Sequence, residues 1–108
     1  MKDFIRAIFI RPGEAPRMGT QRNRLKELQD RVGGPIETVT LTDDLVVICN
    51  EESFINGTRH CTTICGIQLF GPILVVGVDG EEFTDVPEEE FADLYREGWH
   101  YEIEEGEK

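Results

Sequence analysis

Three short stretches, 4–10 (FIRAIFI), 45–49 (LVVIC) and 73–78 (ILVVGV), contain almost nothing but apolar side chains. Only Arg6 interrupts them with a charge, so none shows the polar alternate face of a half-exposed strand. Runs of this length are far too short to cross a bilayer, and they read as strands buried on both sides. Three such strands demand a sheet with cover on each face.

The segments between them supply turns and covers. Arg11-Pro12-Gly13 ends the first run, because proline donates no ladder hydrogen bond and glycine permits a turn. A polar connection then leads to Gly19, and Thr20 is placed to cap a helix reaching Arg31, with Leu25, Leu28 and Val32 as its apolar stripe. Gly33-Gly34-Pro35 stops that helix. Residues 36–41 alternate, with Glu37, Val39 and Leu41 on one face and Ile36, Thr38 and Thr40 on the other. That pattern is a half-buried strand, joined by the Thr42-Asp43-Asp44 turn to the second apolar run. Residues 50–65 look irregular, with Asn56-Gly57 as a turn. A short strand at 67–70 breaks at Gly71-Pro72, and Asp79-Gly80 turns the third run into Glu81-Glu82-Phe83. A second helix is expected from Asp85, with Glu88 completing an acidic capping box and Phe91, Leu94 and Tyr95 facing the sheet. Gly98 ends that helix, and Trp99 and Tyr101 pack its exit onto the domain. The expected architecture is α+β: a mostly antiparallel sheet of about five strands packed by two helices, in the order β-α-β-β-(β)-β-β-α. Residues 1–101 make a single domain and 102–108 an acidic, frayed tail.

Charge is unevenly spread. Of 22 acidic and 11 basic residues, eight bases and four acids lie in 1–31, whereas 79–108 holds thirteen acids and two bases. A net charge of -11 excludes a basic nucleic-acid groove over the whole surface, so no direct nucleic-acid binding is expected. The acidic block has two readings, a solvated helix face or a docking surface for a basic host partner in the manner of a DNA mimic. Its candidate residues are Glu81, Glu82, Glu88, Glu89, Glu90, Asp93 and Glu97. No leader and no apolar run of the ~20 residues a span needs is seen, so a cytoplasmic chain without membrane contact is expected. Three cysteines, an odd number, fit reduced thiols in a cytosol. Cys49, His60, Cys61 and Cys65 lack a Cys-x-x-Cys spacing, so no metal or other cofactor is expected.

One polar cluster stands where a buried strand leaves the sheet. Asn50 and Glu51, with Glu37 on the partner strand and Asn56 and Arg59 in the following loop, offer carboxylates, amides and a guanidinium. Together these groups can grip a small polar ligand; equally, Arg59 can pair with Glu51 or Glu52 merely to fix the loop. Arg17, Arg22, Arg24 and Lys26 form the one basic cluster, able to hold an acidic ligand such as a nucleotide-like signal. Gly33-Gly34 follows a helix and Gly77-x-x-Gly80 sits in a hairpin, so neither resembles a phosphate loop. No nucleophile–base–orienter arrangement is evident, and a catalytic role is not expected. Whether the chain forms oligomers is left open.

IFIRPGE at 8–14, LKELQDRVGGPIETV at 25–39, LVVICNEE at 45–52, NGTR at 56–59 and GPILVVGVDGEEFTDV at 71–86 resemble the domain of unknown function 3846. The pattern residues carried over are Pro12, Gly13, Leu28, Gly33, Gly34, Ile36, Glu37, Asn50, Glu51, Asn56, Arg59, Gly71 and Gly77. Pro35 replaces an aromatic usual after the glycines, and Ser53 a glycine that often follows the acidic pair. Either change can alter a site at Glu37 to Arg59. The resemblance implies a compact α+β domain in a phage, plasmid or other mobile element, and no established activity. A non-enzymatic accessory protein that binds a host factor is the function expected; a small-molecule binder is the alternative.

Overall fold

The computed structural model describes residues 3–52, 60–64 and 67–89. Its elements run β1 (Phe4–Ile10), β2 (Arg17–Arg22), α1 (Leu25–Val32), β3 (Ile36–Thr42), β4 (Leu45–Asn50), β5 (His60–Ile64), β6 (Ile67–Phe70), β7 (Ile73–Asp79) and β8 (Glu82–Thr84). The main sheet has the order β2-β1-β7-β4-β3 with β8 also on β7, and every pairing is antiparallel. The three apolar runs are the three inner strands, the positions that require two buried faces. Ile5, Ala7, Phe9, Val46, Ile48, Leu74 and Val76 pack with Leu28 and Val32 of α1 on one face. Ile8, Ile10, Leu45, Val47, Cys49, Ile73 and Val75 form the other face, with Leu69 of β6 and with Val86.

The fold is thus α+β, and α1 is the helix among the described residues. The second helix does not start at Asp85 as expected: residues 85–87 are not helical, because Asp85 and Val86 bond to Arg6 of β1. In this segment helical geometry appears only at residues 88 and 89, and residues 90–98 of the expected helix lie outside the described residues. The cover seen on the second face comes instead from β6, paired with β5 as a separate two-stranded sheet. Residues 60–64, expected to be irregular, are therefore a strand.

The stretch read as a polar connection and a helix start is β2, with Phe4 opposite Arg22 and Phe9 opposite Arg17. Thr20 lies opposite Arg6 in that ladder and caps nothing; α1 begins after Arg24, which makes no side-chain capping bond. Pairing wins here because β1 needs a neighbour on its outer side, and a six-residue ladder satisfies more backbone groups than one extra helical turn. The helix end is as expected: Gly33 has φ 87 and its N–H donates to the Gln29 carbonyl at 2.8 Å.

One irregularity shapes the sheet centre. β1 pairs with β7 only at Ile8–Ile10, and toward its start Asp85 and Val86 fill the gap. The Asp85 carboxylate accepts the Arg6 N–H at 2.9 Å, while the Val86 N–H donates to the Arg6 carbonyl at 3.0 Å. A Cβ on Gly77 would collide with the Asp85 carbonyl oxygen, so glycine is what lets this segment pass. Gly80, φ 66, forms the β7–β8 turn expected from Asp79-Gly80.

Candidate functional site

Asn50 leaves β4 on the face covered by α1, and its side chain is committed to the fold. Its Nδ2 donates to the Val32 carbonyl at 3.2 Å, and its Oδ1 accepts the Glu52 N–H at 2.8 Å. The first bond satisfies one of the carbonyls left free at a helix end. The Glu51 N–H donates to the Pro35 carbonyl at 2.7 Å, tying the same two segments together. A Cβ on Gly34 would stand 2.8 Å from Asn50 Nδ2, so the glycine pair is shaped around this amide.

Glu37 does not join it. In the β3–β4 register Glu37 lies opposite Cys49, whereas Asn50 lies opposite Ile36. Side chains alternate along a strand, so Glu37 and Asn50 emerge on opposite faces of the sheet. Glu51 and Glu52 are exposed, and Asn56 and Arg59 lie outside the described residues. Cys49 is buried and its Sγ donates to the Glu37 carbonyl at 3.6 Å. Burial, and then the nearby Glu37 charge, push its thiol up to about 11.

Among the described residues, clefts open on both flanks of α1. The first, about 240 Å³, opens between α1 and β8 and is lined by Leu25, Leu28, Ile36, Phe83, Glu81 and Glu82. Leu25, expected in the buried stripe, is 59% exposed there. Glu81, Glu82, Glu88 and Glu89 are all exposed; Glu90, Asp93 and Glu97 lie outside the described residues.

The second cleft, about 480 Å³, opens between α1 and β2 and is lined by Arg11, Gln21, Arg22, Glu27, Asp30 and Arg31. Gln21 is only 3% exposed. Its Nε2 donates to the Arg22 carbonyl at 2.9 Å, and its Oε1 accepts Arg31 Nε at 3.1 Å. The Arg31 guanidinium also lies 4.8 Å from the Phe9 ring centroid. That ring sits against Gly19, where any Cβ would come within 2.6 Å of it. The basic cluster read from sequence is dispersed: Arg22 lines this cleft with its guanidinium 5.1 Å from the Phe4 ring, Arg24 precedes α1, and Lys26 pairs with Asp30 at 3.6 Å. Gln21 and Arg31 escaped notice because only the β1–β2 pairing makes them neighbours.

No curated protein and no solved structure matches the chain. A family model described as "Domain of unknown function (DUF3846)" matches residues 5–100, a span that starts in β1 and includes both clefts. With nearly its whole length so matched, the chain belongs to the DUF3846 family.

Proposed function

We propose that the protein is a non-enzymatic accessory protein that binds a basic protein partner, with the cleft between α1 and β8 at the centre of the contact. One observation carries this reading: the exposed Leu25 shares a cleft with Leu28, Ile36 and Phe83, and Glu81 and Glu82 line the same cleft. A face that only solubilises needs carboxylates and no apolar patch. Apolar surface beside fixed negative charge suits an amphipathic segment rich in Lys and Arg, which charge steers in and burial retains. Glu88 and Glu89 extend the same negative sign along the chain. In the mobile-element setting implied by the resemblance, that partner is a host factor.

The test is capture of basic host proteins by the full chain at low salt. Retention is expected to fall steeply as salt rises and to be lost in the E81K/E82K and L25S variants. Undiminished capture by both variants, or none by the wild-type chain, sinks the reading.

A further inference from the structure

The cleft on the other side of α1 carries a different chemistry. Arg31 sits four residues after Glu27, the spacing at which a helical ion pair normally forms. Among the described residues the ion pair on this helix is Lys26–Asp30 instead, and Arg31 is held by neutral groups. Gln21 fixes its Nε, and the Phe9 ring lies against the guanidinium. Gln21 is itself locked by burial and by its bond to the Arg22 carbonyl, and the buried Phe9 ring occupies the space that Gly19 leaves by having no Cβ. The result is a guanidinium that no carboxylate of the described residues pairs directly, and whose orientation is set by Gln21 and Phe9 before any ligand arrives. Its bond to Gln21 uses Nε, and among the described residues no acceptor holds its two terminal amino groups, which form the fork that matches a phosphate or carboxylate. Bracing of a binding group by a second layer of contacts is what a preformed site requires.

The rest of the lining narrows the ligand. Arg11 and Arg22 add positive charge, which favours a group carrying more than one negative charge. Glu27 and Asp30 stand in the same cleft and accept hydrogen bonds from hydroxyl groups, so a ligand with hydroxyls beside its anionic group suits the lining better than a bare polyanion. At about 480 Å³ the cleft exceeds the needs of a lone phosphate ion and falls within the usual range for small-molecule sites. We propose that the Arg31 cleft binds a small phosphate-bearing molecule with hydroxyl groups beside its phosphate, of the nucleotide class, with Arg31 as the principal phosphate ligand. This site is separate from the α1–β8 cleft and stands or falls without it.

Titration calorimetry of the full chain at constant ionic strength tests the proposal, with ADP, pyrophosphate and citrate as probes. ADP is expected to bind more tightly than either pyrophosphate or citrate. Arg31→Met should weaken ADP binding about 10-fold to 100-fold, the worth of a charged hydrogen-bonded contact. Gln21→Met should weaken it less while leaving net charge unchanged, which a purely electrostatic attraction would not produce. Arg24→Met, outside the cleft, should leave it unaltered, and thermal melts confirm that each variant is folded. Pyrophosphate or citrate binding as tightly as ADP overturns the nucleotide assignment. Absence of binding by both phosphates, equal loss in Arg24→Met and Arg31→Met, or binding of a short single-stranded RNA in place of ADP overturns the site as proposed.

Discussion

At the scale of single residues, Asn50 shows how a polar group at a strand end can be structural. It offers the chemistry of a ligand contact, yet its amide bridges the end of α1 and the β4 exit. Replacement by Ala is expected to destabilise the fold by about 1–3 kcal/mol, since the half-buried Val32 carbonyl loses its donor. Gly34→Ala pushes a methyl group into the same amide, so the two substitutions should be non-additive. A urea-denaturation cycle of the single and double variants checks this, and strict additivity contradicts the packing described. Cys49 makes a second prediction. With its folded pKa raised to about 11 from 9.0, the thiol stays protonated through neutral pH and resists alkylation until the protein unfolds. Between pH 9 and 11 the unfolded chain releases this proton first, so stability falls across that window. Cys49→Ala should flatten that fall in pH-dependent melts.

At the scale of elements, β2 is the instructive case. The segment RMGTQR has no apolar alternation, and a Thr ahead of Leu25, Leu28 and Val32 imitates a helix cap. Nothing local marks it as a strand, because its reason for being extended is the unpaired outer edge of β1. Gly19 belongs to that pairing: opposite Ala7, it leaves room for the Phe9 ring. Gly19→Ala should cost about 1–3 kcal/mol as an overpacked site. Because the displaced ring also supports Arg31, any ligand of that cleft should bind more weakly; a melt paired with ADP titration reads both effects. Gly77→Ala should be worse, since its methyl group meets backbone rather than a movable side chain. Loss of a cooperative melt in that variant is the expected result, and a wild-type melt would falsify the account of how Asp85 and Val86 enter the sheet.

At the scale of the whole molecule, charge separates the two flanks of α1. The β2 side sets Arg11, Arg22 and Arg31 against Glu27 and Asp30, whereas the charges on the β8 side are Glu81 and Glu82. With a net charge of -11 the folded chain repels itself at low ionic strength, so its melting temperature should rise as salt is raised toward physiological levels. Calorimetry over a salt series measures it. The amino-acid sequence by itself determined the inner strands, the glycine stop of α1 and the Asp79-Gly80 turn, because burial on two faces and left-handed backbone leave local marks on composition. It also located the acidic end, since charge is counted without a fold. Only the tertiary structure decided that Glu37 and Asn50 part to opposite faces, since a one-residue register step reverses which side a strand residue takes. Likewise, only it made Gln21, Phe9 and Arg31 neighbours. Their contact depends on β2 pairing with β1 and α1 lying across both, a non-local arrangement that no window along the chain contains.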